Sequence, residues 1–196
     1  ISKYALDSKP YNTSYTNVTW ETCTLRKWLN NDFINAAFSA DEKAMIPTVT
    51  VPADKNPEYS TNPGNATQDQ VFLLSITEAN KYFSSDSARQ CNPTDYAVAN
   101  DVFFNSYTGN CWWWLRSPGY RQDTAAAVYR DGELLATVSA ASGVVPQISV
   151  ISGSCTGLCA VAAGMFDLKI AAEGAKVYLT GSNPLSTQDD VAAALA

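Results

Sequence analysis

Polar and aromatic side chains of the kind that recognise ligands are concentrated in two short stretches in the second half of the chain. Tyrosine supplies rigid contact area, and arginine supplies several hydrogen-bond donors in a fixed geometry. Amide and carboxylate groups accompany them here. The candidate ligand-binding residues are Tyr120, Arg121, Gln122, Asp123 and Thr124, then Tyr129, Arg130 and Glu133, together with Trp112 upstream. Mixtures of this kind suit ligand recognition, whereas a solvated loop and hairpin without a binding role is the alternative.

The residue types that most often perform catalysis are scarce. The chain has no His, which removes the usual base beside a catalytic Ser or Cys and most catalytic zinc sites. Cys155 and Cys159 are the closest thiol pair and can pair or stay reduced, whereas Cys23, Cys91 and Cys111 lie in apolar contexts typical of buried thiols. The sequence therefore predicts no enzyme activity, no catalytic residue and no cofactor.

Charge and hydropathy exclude two classes of partner. The formal net charge is −6 and no basic run occurs, which argues against binding to nucleic acid. No stretch of about eighteen apolar residues occurs, so we expect no membrane insertion by this segment. Calcium needs several oxygen ligands close together, and the acidic residues after position 85 are scattered, so no metal ligand is predicted. Calcium at an unrelated loop stays an open alternative.

Three consecutive tryptophans at positions 112–114 mark the strand that must position the candidate residues. Side chains alternate between the two faces of a strand, so we expect Trp113 or Trp114 in the core. The sequence of residues 117–120, Ser-Pro-Gly-Tyr, predicts a type II turn in which Gly119 takes a positive φ. Asp131-Gly132 predicts a second turn, of the hairpin type. We expect the two turns to present the candidate residues on one face.

The remaining patterns predict an α+β domain. Apolar residues at helical spacing predict one or two helices over 22–38, with a break at Asn30-Asn31 as an alternative. Capping-box motifs start at Ser39 and Ser75, and the second of them opens a helix over 76–83. Asn92-Pro93 predicts an N-cap and a helix over 93–99. Besides the tryptophan strand, the predicted strands are 48–51, 71–74, 125–129, 133–139 and 144–150, with a long loop over 52–70.

Residues 1–150 are predicted to form one domain, and residues 151–196 a C-terminal extension. Glycines separate short apolar runs in the extension, which favours a β-rich segment packed on the main domain. The chain begins at Ile1 and not at Met, so we expect a targeting segment upstream of it.

Short motifs over residues 1–150 carry a resemblance to a known family. In order they are Ser2–Asp7, Trp20-Glu21, Leu25–Asn30, Phe38–Ile46, Val71–Ser75 with Glu78, Arg89 with Pro93–Ala97, and Trp113–Gly119. Together they resemble a domain family common in gut Firmicutes and their phages. That family is similar to the formylglycine-generating-enzyme branch of the C-type-lectin fold, which includes the variable proteins of diversity-generating retroelements.

The resemblance implies a C-type-lectin-like fold with two helices packed on a mostly antiparallel sheet. It also implies a ligand-binding module of the receptor or adhesion type, with a variable surface on a rigid frame. The expected ligand is a protein or a glycan on another cell or surface, and the expected location is extracellular, at the cell surface or on a virion. Two alternatives stay open: an oxidoreductase like the formylglycine generators, and a purely structural surface or phage component. The formylglycine generators use a reactive cysteine pair for copper, and Cys155 and Cys159 lie outside the matching region.

The sequence departs from the family pattern in its closing motif and in its length, since family members often end near residue 150 and this chain runs 46 residues further. The family usually closes with Gly-Val-Arg-Pro, whereas this chain has Gly-Val-Val-Pro at 143–146. We therefore expect the ion pair or hydrogen bond of that Arg to be lost. The Glu-Pro-Asn and Trp-Asn-Asp calcium motifs of true C-type lectins are absent, which argues against calcium-dependent sugar binding of their type.

Overall fold

The computed structural model describes residue 2, residues 4–141 and the backbone of three short strands within residues 150–178. Its helices and strands confirm the predicted α+β class. The helical elements are α1 Thr24–Trp28, a π-helical turn Leu29–Phe33, α2 Ile34–Ala37, α3 Ala40–Met45, α4 Ile76–Tyr82, α5 Asp86–Arg89 and α6 Asp95–Ala99. The strands are β1 Val49–Val51, β2 Thr67–Asp69, β3 Val71–Phe72, β4 Trp113–Pro118, β5 Thr124–Val128, β6 Leu134–Ser139, β7 Val150–Ile151, β8 Cys155–Thr156 and β9 Val177–Tyr178.

A three-stranded antiparallel sheet, in the order β4-β5-β6, forms the centre of the domain. Every residue of β4 and β5 is buried, so both faces of these strands are covered by other parts of the chain. On β5, Ala125 and Ala127 belong to one apolar cluster, and Ala126 and Val128 belong to another. The two-residue period of the strand therefore divides the core into two parts, one on each face.

The two tryptophans of β4 lie in different parts of this core. Residues 24–37, from α1 through α2, form a first helical segment. Trp114 belongs to the same apolar cluster as Leu25 and Leu29 of this segment, and Trp113 belongs to the cluster of Ile76 and Ala79 of α4. Both side chains are fully buried, which confirms the expectation that one or the other would be. The predicted helices therefore cover opposite faces of the sheet. Each indole N–H donates to a backbone carbonyl, to Arg89 from Trp113 and to Lys9 from Trp114, at 3.0 Å in both cases.

The helix predicted over 22–38 does not break at Asn30-Asn31 but widens there into a π-helical turn. The Asn30 side chain forms hydrogen bonds with the backbone at the start of β3. Its Oδ1 accepts from the N–H groups of Gln70 and Val71 at 2.8 and 3.1 Å. Its Nδ2 donates to the Val71 carbonyl at 2.8 Å. The wider turn thus places one amide against the start of β3.

Both capping boxes are present as predicted, whereas the Asn92-Pro93 cap is wrong. Ser39 caps α3 and Ser75 caps α4, each with the Glu three residues later. The cap of α6 is Thr94, whose hydroxyl accepts from the Ala97 N–H at 3.1 Å. Residue 93 instead forms a parallel bridge with Ala5, so the chain is still extended there and the helix begins two residues later.

The predicted strands over 48–51, 71–74, 125–129 and 133–139 are confirmed with changed bounds, and one strand was not predicted. The run 48–51 contains β1, and the run 71–74 forms a strand only at β3. The segment predicted as a loop over 52–70 ends in β2, which pairs antiparallel with β1. β3 pairs antiparallel with β7, while β8 and β9 pair in parallel. Of the predicted strand over 144–150, residues 144–149 lie outside the described residues, as does most of the predicted extension over 151–196.

The turn predicted at residues 117–120 is wrong, and Gly119 is needed for a different reason. Pro118 is still part of β4, and the positive-φ glycines among the described residues do not include Gly119. A Cβ atom at position 119 would lie 2.2 Å from the hydroxyl of Thr124 and 2.3 Å from the carbonyl of Ala136. The strand crowds against its neighbours here, and only glycine fits. The Asp131-Gly132 turn is confirmed, with Gly132 at φ 93°.

A buried guanidinium group connects β4 to the segments on either side of it. The Arg116 side chain is almost fully buried, and all five of its N–H donors are used. It donates to the carbonyls of Pro52 (3.3 Å) and Leu73 (2.9 Å) and to the carboxylate of Asp54 (3.1 Å). It also makes a bidentate pair with Glu78, the residue that closes the capping box of α4.

Because this ion pair is buried, its loss is expected to destabilise the domain. Arg116→Met is predicted to lower the free energy of unfolding by about 2–4 kcal/mol, measured by urea denaturation. The expected loss is toward the low end of the usual cost of breaking a buried pair, because the side chains of Asp54 and Glu78 are still 28% and 22% exposed to solvent.

Arg121→Met is the matched control, since it removes an arginine–aspartate pair on the surface. Exposed ion pairs are screened by water and contribute little to stability, so only a small change is expected. Equal losses from the two substitutions would contradict the structural role assigned to Arg116.

Candidate functional site

An open cleft lies where the turn between β4 and β5 meets the loop that follows β1. Its volume is about 550 Å³, which is within the usual range for small-ligand sites. Eight residues line it: Asn17, Tyr59, Ser60, Thr61, Tyr120, Arg121, Gln122 and Asp123. Four of the candidate residues predicted from the sequence are therefore neighbours in one concave site.

Two tyrosines, one from each side, form the aromatic part of the cleft. The rings of Tyr59 and Tyr120 meet edge to face, with centroids 6.2 Å apart. Tyr120 remains 43% exposed and Tyr59 remains 38% exposed, although both are large side chains. Exposed rings held against each other offer a ligand apolar contact area that needs little ordering on binding.

A closed ion pair forms the charged part of the cleft. The Arg121 Nε and Nη2 atoms donate to the two carboxylate oxygens of Asp123 at 3.0 and 2.8 Å. Hydrogen bonding to Asp123, followed by the charge of that carboxylate, raises the pKa of Arg121, so the cation persists at all physiological pH values. The site is thus rich in hydrogen-bonding groups while its nearest charges cancel.

Hydrogen bonds from side chains to the backbone hold the loop against β4. The Asn56 side chain donates to the Pro118 carbonyl at 2.9 Å, and the Thr61 hydroxyl donates to the Gly119 carbonyl at 2.8 Å. The two acceptors lie two and three positions after Arg116, which binds the same loop at Pro52 and Asp54. The position of Tyr59 is therefore fixed on both sides along the chain.

The candidate residue Gln122 positions the cleft more than it faces a ligand. Its side-chain amide donates to the carbonyls of Val18 (3.0 Å) and Asn62 (2.9 Å) and accepts from the Asn62 N–H (3.0 Å). The backbone carbonyl of Gln122 also accepts from the Val18 N–H at 2.9 Å. One residue thus ties the turn to two loops, and its amide is fully occupied.

Thr124 is buried, and its role is to shape the turn. Its hydroxyl donates to the Arg121 carbonyl at 2.8 Å and accepts from the Arg121 N–H at 3.0 Å. Its own N–H also donates to that carbonyl, at 3.1 Å. The turn at residues 121–124 therefore has a fixed conformation that points Tyr120, Arg121 and Asp123 outward.

The other candidate residues lie at the opposite end of β5, so the expected single face is not formed. Trp112 and Tyr129 pack edge to face with centroids 4.6 Å apart, and the Arg130 guanidinium lies over the Tyr129 ring at 4.8 Å. Glu133 is exposed at the same hairpin tip. Because β5 separates the two turns by five residues, about 17 Å of strand lies between them.

Half of the cleft comes from residues that the sequence-based prediction missed. Tyr59, Ser60 and Thr61 lie in the loop predicted over 52–70, and Asn17 lies upstream of the first predicted helix; no function was predicted for either segment. One signal was available: uninterrupted loops longer than about 12–15 residues are uncommon in compact domains and often functional. The sequence could not show which strand end this loop would reach.

The thiols of the described part of the chain lie away from the cleft. Cys23, Cys91 and Cys111 are buried, as predicted, and belong to the two core clusters. Burial raises the pKa of the Cys23 thiol to about 12. In the described residues, no three His, Cys, Asp or Glu side chains are grouped so that they could hold a metal ion. The helices described are also too short or too polar to cross a membrane.

The described residues form an α+β domain with an open polar cleft at a strand end. The chain belongs to the family described as "Domain of unknown function (DUF6273)", whose model matches residues 1–152. No curated protein matches the chain, and no solved structure does.

Because Gln122 joins two loops to the turn, its truncation is expected to loosen the cleft. Gln122→Ala leaves two carbonyls and one N–H without their partner, and we predict a loss of about 1–3 kcal/mol in the free energy of unfolding. Faster amide exchange at Asn62 is expected as well, measured by NMR.

Gln90→Ala is the control, because the Gln90 side chain is exposed and donates to the Asp131 carbonyl at 3.1 Å in the distal hairpin. It should change stability by about 0.5 kcal/mol or less. An unchanged exchange rate at Asn62 in Gln122→Ala would show that Gln122 does not hold the cleft.

Proposed function

We propose that this protein is a ligand-binding module of the receptor or adhesion type and that the cleft of Tyr59, Tyr120, Arg121 and Asp123 is its binding site. The observation that carries the proposal is the placement of exposed aromatic and hydrogen-bonding side chains in one cleft built on a fixed frame. Rigid presentation lowers the entropy lost on binding, so a frame of this kind supports recognition by a few side chains.

The chemistry of the cleft favours a neutral glycan over a protein as its ligand. The Arg121–Asp123 pair is closed, so a charged ligand gains little from either partner. Both groups retain hydrogen-bonding capacity, and sugar hydroxyls both donate and accept. A protein interface of standard size uses about 20–30 residues on each side, whereas this cleft has eight lining residues.

The family resemblance supports the same function. It suggests that the frame is a C-type-lectin-like fold and that the side chains at the strand end are the ones that vary among related proteins. It also suggests that the protein acts outside the cell, at a cell surface or on a virion. In the described chain no cysteine lines the cleft, so no observation there favours the oxidoreductase alternative.

Substitution of the two tyrosines tests the proposed site most directly. The double variant Tyr59→Ala with Tyr120→Ala is predicted to weaken binding to any neutral glycan recognised on a glycan array by about 30-fold or more, which corresponds to about 2 kcal/mol. Direct titration of the selected glycan by calorimetry gives the dissociation constants.

Tyr107→Ala provides the matched control, because Tyr107 is 98% exposed and lies outside the cleft. It should bind with unchanged affinity, as should Arg130→Ala in the distal hairpin. The proposal fails if the double variant keeps full affinity while Arg130→Ala loses it. If only proteins and no glycans are captured, the protein-binding alternative replaces the glycan.

A further inference from the structure

Cys91 and Cys111 face each other across an antiparallel bridge at the base of the segment that carries α6. The Cys111 N–H donates to the Cys91 carbonyl at 2.8 Å, and the Cys111 thiol donates to the same carbonyl at 3.2 Å. The two residues are only 2% and 0% exposed. Hydrogen bonding to the Cys91 side chain, followed by burial, raises the pKa of the Cys111 thiol.

The spacing of such a pair meets the requirement for a disulfide. Directly opposed residues of an antiparallel ladder have Cα atoms about 4.5–5.5 Å apart. Disulfides join Cα atoms that are about 4.4–6.8 Å apart. We propose that Cys91 and Cys111 are a disulfide site, oxidised by a thiol–disulfide couple such as glutathione disulfide, and that the bond closes residues 92–110 into a loop.

The segment between the two cysteines carries large apolar side chains that are mostly exposed to solvent. Tyr96, Phe103 and Tyr107 are 64%, 57% and 98% exposed. Ala97 and Val102 are its contributions to the core, besides the two cysteines. A cross-link at the base of the segment reduces the conformational freedom of the unfolded chain. It therefore favours the folded state, in which these exposed residues are held in position.

The reaction is a two-step thiol–disulfide exchange. One cysteine thiolate attacks a sulfur of glutathione disulfide, which forms a mixed disulfide and expels one glutathione thiolate. The second cysteine thiolate then attacks the protein sulfur of the mixed disulfide and expels the other glutathione. The protein loses two electrons and two protons, and glutathione disulfide is reduced to two glutathione molecules. Because the thiolate is the attacking species, burial makes this step slow in the folded protein.

The bond is tested in the whole chain, incubated while folded in excess glutathione disulfide, then denatured, alkylated and digested with trypsin. Cleavage after Arg89 and Arg116 gives one fragment, 90–116, that contains both cysteines. The expected result is a fragment lighter by two hydrogens and without alkyl groups, while the fragment with Cys23 is alkylated. The melting temperature is expected to rise by about 6–12 °C.

Substitution separates this bond from other oxidation. Cys23→Ala should keep the rise in melting temperature, and both Cys91→Ala and Cys111→Ala should abolish it. The inference is overturned if fragment 90–116 of the wild-type chain takes up two alkyl groups after the oxidising incubation. It is also overturned if Cys91 or Cys111 is found joined to another cysteine of the chain. The fragment masses come from the wild-type protein, so they decide the matter even if a variant does not fold.

Discussion

The arrangement of this domain depends on the hydrogen bonds and ion pairs of the buried Arg116 side chain. An arginine without partners in the core is costly, so the segments that supply its acceptors must assemble around it. The carbonyl of Leu73 holds the segment after β3 against β4, Glu78 fixes the start of α4, and Pro52 with Asp54 hold the loop after β1. Glu78 also accepts from the Ser75 N–H at 2.9 Å, so one carboxylate serves both the helix cap and the ion pair.

The cleft is a consequence of this arrangement. Once Arg116 has fixed the loop at Pro52 and Asp54, the next hydrogen bonds follow β4 toward its end, at Pro118 and Gly119. The loop thereby reaches the turn between β4 and β5 and brings Tyr59 against Tyr120. A buried structural network and the exposed candidate site are thus built on neighbouring residues at the end of one strand.

The buried carboxylate of Asp69 extends the same principle to the first helical segment. Asp69 accepts from the Trp20 indole (3.0 Å), from Arg26 (2.7 Å) and from the Thr67 hydroxyl (2.6 Å). Together with Asn30, it attaches this segment to β2 and β3. Helices therefore cover both faces of the sheet. Polar groups with satisfied hydrogen bonds join these helices to the neighbouring strands.

Local patterns in the sequence predicted the local structure well. The capping boxes at Ser39 and Ser75 and the turn at Asp131-Gly132 were correct, because each depends on residues only a few positions apart. The turn expected at Gly119 was wrong, because the choice of glycine there reflects crowding by Thr124 and Ala136, which is a tertiary effect.

The site was predicted only in part for the same reason. The candidate residues at 120–123 lie in the cleft, but those at 129–133 lie beyond the other end of β5. The partners of the first group, above all Tyr59, are about sixty positions away in sequence, and long-range hydrogen bonds set their place. No local pattern contains that information.

The most direct measurement is amide hydrogen–deuterium exchange with and without a pooled set of neutral oligosaccharides. The account predicts slower exchange in the segments around 59–62 and 119–123 when the sugars are present, with no change at 129–134. Protection at 129–134 or at 95–107 with no change around the cleft would contradict it, as would an absence of protection throughout the chain.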